Sequence, residues 1–484
     1  MISRFLARVV SFLYGFFTLT AYALFAVLDG SLFKSFSKKT QQELLAARKK
    51  LWNLDHAPNG LIHSFCTLDD GTKLHYVRAG GSTNPVDSDT NLVIFIHGFP
   101  DSWAVWQHYL CSERLLHNNV LIAVDLPGYG GSDGLPKYSA TAVLETITQF
   151  ILVMRSEYLD SGENRERSAG RVVIVSHDWG ACIALRLAAE ASQLADRFVI
   201  SNTMHPKLAL GNVKARWSSG ARMMKTWRKS PFSLQLHRKA LNNLEPVFHQ
   251  LYKSHYIFVF NLPAFLAHIP GRIGGHWFYR MVHVAVTGQK FGFEGPQAAE
   301  LLSITLGPGL EQCGEPRGYA NGDKKSLSGY PPSVAKRTHD GGYSEKIRLY
   351  REGLATGRWE QSLETLVSLS DLSAQNQRAR RRSNSNAGLF ESGPKGSLKA
   401  PTTVIWGLND AFLDPRIAID GIGDYFTRGS HVILLPKAGH WVQCEKQGAA
   451  VFEEVIAWAM EGEKTPMKTV MTEQFPDVKV TAER

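Results

Sequence analysis

Val172-Val173-Ile174-Val175-Ser176-His177-Asp178-Trp179-Gly180-Ala181-Cys182 decides the architecture of this chain. A β-branched apolar run leads to one polar position held between small residues, and Ala184, Leu185, Leu187 and Ala188 then recur at helical spacing. The stretch reads as a strand, a sharp turn and a helix. Ser176, Gly180 and Ala181 are small, as such a turn requires, because its backbone is strained and the helix must lie close to the strand. The apex side chain, standing exposed above the sheet edge, is Asp178, and Ser176 is the small residue two positions earlier. A serine esterase would need serine at position 178. A carboxylate that attacks carbon instead forms an ester that water must hydrolyse, which suits an electrophilic sp3 carbon such as that of an epoxide or an alkyl halide. An aspartate starting a helix is also a common cap, so the remaining strand exits have to discriminate.

Upstream, Ile62 to Leu68 and Lys73 to Val77 alternate around Asp69-Asp70-Gly71 and predict a hairpin, followed by a loop with Gly80, Gly81, Pro85 and Asp87. Leu92 to Ile96 is a buried-strand run ending in His97-Gly98-Phe99-Pro100. Val120 to Val124 is another, ending in Asp125-Leu126-Pro127-Gly128-Tyr129-Gly130-Gly131-Ser132-Asp133, with a helical pattern over Thr141 to Met154. Downstream, Phe198 to Ile200, Thr402 to Trp406 and His431 to Leu435 complete the set. Strands alternating with helices predict a doubly wound, mostly parallel sheet, whose ligands sit at the strands' carboxyl ends. Residues 206 to 366 lack strand alternation and are rich in Trp, Phe, Tyr and Leu; they predict a helical lid.

Three strand exits carry a family resemblance. His97-Gly98-Phe99-Pro100, the segment Asp125 to Asp133 and Ser176-His177-Asp178-Trp179-Gly180 together resemble the α/β-hydrolase-fold epoxide hydrolases, most nearly the membrane-anchored ones, over roughly residues 60 to 460. The resemblance implies Asp178 as nucleophile, with His440 (Ala438-Gly439-His440-Trp441) as base and Asp410 (Gly407-Leu408-Asn409-Asp410) orienting the base. This is the nucleophile, acid, base order of the fold. Asp414, four residues on, is the competing acid; Asp410 is preferred because it directly follows the Trp-Gly turn. The resemblance also implies an oxyanion hole from the backbone N–H groups of Phe99 and Trp179, supported by His97, Gly98 and a cis bond at Pro100.

Two lid tyrosines fit the same family. Tyr256 leads Tyr256-Ile257-Phe258-Val259-Phe260-Asn261-Leu262-Pro263, where the family commonly has Gln at the place of Asn261, and Tyr350 precedes Arg351. Opening an epoxide develops negative charge on oxygen, which a neutral phenol can meet with a hydrogen bond or a proton. The implied substrate is a lipophilic epoxide, the product a vicinal diol, and no metal or organic cofactor is called for. Dehalogenases share the aspartate elbow but need halide-stabilising donors where these tyrosines stand. A non-catalytic membrane-bound binding protein is the reading from another class.

From Val9 to Leu28 no residue is charged, and about twenty apolar residues at about 1.5 Å each match a hydrocarbon core of about 30 Å. Residues 1–35 are therefore expected to form an anchor. After Leu28, Asp29-Gly30 leads to Phe33 and basic residues rather than to a convincing small-x-small cleavage site, so an uncleaved anchor is favoured over a signal peptide. Arg4 and Arg8 precede the span while Lys34, Lys38, Lys39, Arg48, Lys49 and Lys50 follow it, which places the following domain in the cytosol. A single-pass anchor in the endoplasmic reticulum membrane is expected. Residues 36–60 form a basic juxtamembrane linker, in which Ser37 to Leu54 predicts an amphipathic helix lying on the membrane surface.

The net charge of +10 and the 44% apolar content describe a chain with a large core and a basic surface. No nucleic-acid motif accompanies the charge, so membrane lipid rather than nucleic acid is the expected partner. Five scattered cysteines lack metal or disulfide spacing. The remaining domain scheme is a core over 61–205 and 401–462, a lid over 206–366 with a turn-rich, mobile insertion at about 305–340, a basic mobile loop over 367–400, and a polar, disordered tail over 463–484. The insertion carries Gly322-Asp323-Lys324-Lys325; the basic loop carries Arg378, Arg380, Arg381 and Arg382 followed by Ser383-Asn384-Ser385-Asn386.

Overall fold

The run Val172–His177 forms strand β5, buried along its whole length. The computed structural model describes residues 2–33, 36–80, 90–159, 170–287, 294–314, 329–382 and 393–481. Gly81, Pro85, Asp87, Lys34, Gly322 to Lys325 and Ser383 to Asn386 lie outside them. The other strands are β1 (Ile62–Thr67), β2 (Lys73–Arg78), β3 (Asn91–Ile96), β4 (Asn119–Val124), β6 (Arg197–Ser201), β7 (Thr402–Gly407), β8 (His431–Leu435) and β9 (Lys479–Thr481). Among the described residues they make one sheet in the order β1-β2-β4-β3-β5-β6-β7-β8-β9.

The sheet runs parallel from β4 through β8, with the antiparallel β1–β2 hairpin on one edge and β9 on the other. Helices cover both faces, which is why β3, β5 and β6 are buried almost throughout and their central apolar runs do not alternate with polar residues. The helix Ala140–Tyr158, capped by Ser139, buries Leu144, Ile147 and Ile151 on one face; Lys446–Met460 buries Phe452 and Val455 on the other.

Between β6 and β7 the described residues are mainly helical, as expected for a lid. Its main helices are Pro206–Lys229, Leu234–Lys253, His255–Phe260, Trp277–Thr287 and Pro296–Leu306. The N-terminal helix Ile2–Leu28 contains a stretch, Phe5–Leu28, long and apolar enough to cross a membrane. It docks on the lid: Tyr14 meets Phe258 edge-on at 4.9 Å, and Trp277 Nε1 donates to Asp29 Oδ2 at 3.2 Å. Gly15 permits the approach, since a Cβ there would stand 2.5 Å from the Phe258 carbonyl oxygen.

Four expectations change. The helix Lys38–Trp52 starts at Ser37 as predicted, but most of its apolar stripe is turned onto the protein, Leu45 staying exposed. Leu44, Ala47, Leu51 and Trp52 are buried on the protein, and Trp52 Nε1 donates to Ser303 O at 3.0 Å. The described parts of the 305–340 insertion are packed, not mobile: Tyr330 donates to Trp52 O at 2.9 Å, Arg48 Nε donates to Gly307 O at 3.1 Å, and Val334 is buried. The segment expected as a basic loop begins as the helix Leu363–Arg382, held by Leu369 and Leu372 and started by Ser362, which accepts from Thr365 N. The tail after Glu463 is ordered to Thr481. Its helix Met467–Gln474 buries Met467, Val470 and Met471 at i, i+3 and i+4, and β9 then closes the sheet against β8.

Candidate active site

Asp178 is the first residue of the helix Asp178–Glu190 and has φ +49, the left-handed region that side-chain-bearing residues disfavour. The turn is held from both sides by glycine. A Cβ on Gly98 would lie 2.4 Å from Asp178 Cβ, and one on Gly180 would lie 2.4 Å from Ile96 O. These contacts are the physical reason for the small residues in both motifs.

Phe99 N donates to Asp178 Oδ1 at 2.8 Å. Trp179, next in the chain, lies in the first helical turn, where N–H groups have no partner inside the helix. The Phe99–Pro100 bond is cis. His97 is buried and works as a strut: Nε2 accepts from Leu126 N at 3.0 Å, so Nδ1 carries the hydrogen and donates to Gly98 O at 2.8 Å. Burial pushes its pKa down to about 4, which keeps that tautomer neutral.

His440 stands beside the elbow. Its Nε2 is 3.7 Å from Asp178 Oδ2, and its Nδ1 pairs with Asp410 Oδ2 at 2.8 Å. Asp410 is buried; it also accepts from Asn202 Nδ2 at 2.7 Å, Phe412 N at 2.7 Å and Leu413 N at 3.0 Å. Burial opposes the charge on Asp410, but the imidazole and these donors outweigh it and lower its pKa. For His440, burial also disfavours charge, yet the facing carboxylates of Asp410 and Asp178 raise its pKa to about 10. The imidazole of the resting site is therefore a cation between two carboxylates. Asp414 is elsewhere, capping Pro415–Ala418 and pairing with His249 and Arg416.

The lid brings both tyrosines over Asp178. Tyr350 stacks edge-on against Trp179 at 4.7 Å and Phe99 at 5.3 Å, and Tyr256 lies 6.0 Å from Tyr350, nearly perpendicular. Burial raises both phenol pKa values, helped by the nearby Asp178 carboxylate, so both keep their protons as donors. Asn261 turns away and donates to Ile257 O at 2.9 Å.

Sequence reasoning missed several supports. Asn202, at φ +39 just after β6, holds Asp410 and also accepts from Gly407 N. Trp441 Nε1 donates to the buried Asp101 at 2.6 Å, tying the turn after His440 to the turn after Pro100. Lys346, buried in the lid, donates to Pro100 O at 3.2 Å and also to Thr305 O. A cavity of about 390 Å³ reaches Asp178, His440, Tyr256 and Tyr350, and residues of the N-terminal helix line its far wall. Among the described residues no cluster of metal-binding side chains is present.

A carboxylate raised on a strand–helix elbow at the strands' carboxyl ends, faced by an imidazole–carboxylate pair, is the layout of an α/β hydrolase. The chain belongs to the alpha/beta hydrolase family, which it matches over residues 93–453. It is 26% identical over 395 residues to Epoxide hydrolase 3 of Mus musculus, covering 78% of this chain and 74% of that protein. It is 35% identical over 147 residues to Epoxide hydrolase 2 of Caenorhabditis elegans, covering 30% of this chain and 35% of the relative. The nematode match thus spans about a third of the relative's length. Among solved structures, the Cif epoxide hydrolase from Acinetobacter nosocomialis aligns at 18% identity and a TM-score of 0.48, covering 88% of this chain and 98% of that one.

Proposed function

We propose that this protein is an epoxide hydrolase that converts lipophilic epoxides to vicinal diols through an ester on Asp178. Tyr256 and Tyr350 hydrogen-bond the epoxide oxygen while Asp178 attacks a ring carbon. The C–O bond breaks, the oxygen takes a proton from a phenol, and the substrate is left as a hydroxyalkyl ester. Ester formation removes one of the two negative charges beside His440. The imidazolium then loses much of what holds its proton, so it can release it, returning the phenol to its neutral form.

His440, now neutral and oriented by Asp410, takes a proton from water as the water attacks the ester carbonyl. The N–H groups of Phe99 and Trp179 stabilise the oxyanion, and the diol leaves with regeneration of Asp178. The N-terminal helix serves as a membrane anchor in the endoplasmic reticulum with the catalytic domain facing the cytosol, and membrane lipid covers the face of the helix that the lid leaves free.

The observation that carries this reading is the pairing of Asp178 with two lid phenols on one side and His440–Asp410 on the other. A halide-releasing reaction would leave the phenols without a role. The test is full-length protein in detergent, incubated with a fatty-acid epoxide while diol is followed by mass spectrometry, beside Asp178→Asn. Diol from the parent and none from the variant is expected. Halide release from an alkyl halide without any diol would replace this reading with dehalogenation.

A further inference from the structure

The cavity above Asp178 is closed on one side by the apolar N-terminal helix. Ala21, Tyr22 and Phe25 of that helix line it together with Trp277, Met281 and Ala285 of the lid helix Trp277–Thr287. The other lining side chains are buried or half-buried; Ala21 and Ala285 are the exposed ones. Two small exposed side chains, one on each helix, mark the mouth, which opens between the two helices.

The depth of that mouth follows from helix geometry. From Phe5, where the apolar stretch begins, to the lid contact at Tyr14, whose hydroxyl donates to Leu251 O, the helix rises about 14 Å, well short of the about 30 Å of a hydrocarbon core. A helix that spans the core therefore carries its lid contacts at Tyr14 and Gly15 into the apolar layer, and the mouth at Ala21 lies only about 10 Å further along. The neighbouring lid surface suits that position: Tyr252 and Phe265 are each 72% exposed.

We propose that the lid face carrying the N-terminal helix is seated in the bilayer, and that the cavity mouth between Ala21 and Ala285 opens toward acyl chains. On the epoxide hydrolase reading, on which this proposal rests for its chemistry, the substrate class is long-chain epoxides entering sideways from the membrane. The N-terminal helix is then a wall of the substrate site as well as an anchor, and Ala21, Tyr22 and Phe25 determine specificity. Only the carbon bearing the epoxide needs to reach Asp178; the chain trails out between the helices.

The test uses full-length protein in phosphatidylcholine vesicles with the photocrosslinker p-benzoylphenylalanine replacing Ala285 or, separately, Phe17, which is 70% exposed on the N-terminal helix. Lipid adducts at both positions are expected. Adducts at 17 alone would put the mouth in water, and adducts at neither would leave the helix outside the bilayer; either overturns the proposal. In a second measurement, Ala21→Trp and Ala285→Trp plug the mouth. The ratio of kcat/KM for a long-chain epoxide to that for a short one is expected to fall at least tenfold in each, and a ratio unchanged in both contradicts the specificity role. If the parent protein hydrolyses no epoxide, the reading of the reaction fails while crosslinking at 285 still decides where the mouth opens.

Discussion

The Nε2 atom of His440 stands 3.7 Å from the Asp178 carboxylate, with Asp410 paired to the other ring nitrogen at 2.8 Å. One imidazole thus answers to two carboxylates, and only one of them is consumed by the proposed reaction. A switch from cation to base follows from that consumption without any movement of the ring.

His440→Gln is expected to leave attack by Asp178 possible but to block ester hydrolysis. Turnover should fall by about 10³- to 10⁴-fold, while intact-protein mass spectrometry shows a shift equal to the mass of one substrate, located to the peptide containing Asp178. Loss of turnover with no adduct would mean that the histidine acts before the ester forms.

Tyr256→Phe and Tyr350→Phe should each slow ester formation by about 10- to 100-fold, and the double variant by less than the product of the two, because the phenols serve one oxygen. Stopped-flow measurement of the first turnover separates this step from hydrolysis. Unchanged ester formation in the double variant would remove the tyrosines from the chemistry.

The raised pKa of His440 makes a stability prediction with a definite sign. A group whose proton is held more tightly in the folded state, here from an ordinary 6.5 to about 10, stabilises the fold fully below about pH 6.5 and loses that contribution as pH rises through about 10. The difference in urea midpoint between the parent and His440→Gln is therefore expected to shrink steadily from pH 7 to 10. Asp178→Asn, by removing one facing carboxylate, should move that decline to lower pH. A difference independent of pH would show that the charge is not held by the fold.

Gly180→Ala probes the close packing of elbow and sheet. The new Cβ would meet backbone oxygens of Ile96 and His97 at 2.4 and 2.5 Å, so a loss of about 1–3 kcal/mol is expected in chemical denaturation, with activity falling as Asp178 shifts. Full stability in this variant would contradict the packing described.

Truncation after Glu463 tests the ordered tail. Removing buried Met467, Val470 and Met471 should destabilise the protein on the order of 5 kcal/mol, read from the urea midpoint. A truncated protein as stable as the parent would return the tail to the disordered state its polar composition suggested.

The elbow was legible because its requirements are local: a β-branched run, small residues at fixed offsets and a helical pattern directly after Asp178. Asp410 could be told from Asp414 for the same reason, since only Asp410 directly follows the exit of β7. Asn202 could not be found that way. An asparagine after a strand is ordinarily a turn residue, and only the pairing of β6 with β7 brings it to Asp410. The stripe of the Lys38–Trp52 helix was visible, but a stripe does not name its cover, and Ser303, which binds the Trp52 indole, lies 251 residues away. In the tail, three apolar residues at helical spacing were outweighed by their polar neighbours. The wall that the N-terminal helix gives the cavity was hidden because Ala21, Tyr22 and Phe25 read as ordinary members of an apolar span.

The most direct test of the covalent mechanism is one turnover in water enriched in oxygen-18, with enzyme in excess over epoxide. The ester route predicts the heavy oxygen in the carboxylate of Asp178, found by mass spectrometry of its peptide, and an unlabelled diol from that first turnover. Label in the diol with none in Asp178 would mean that water attacks the epoxide directly and that Asp178 is not the nucleophile.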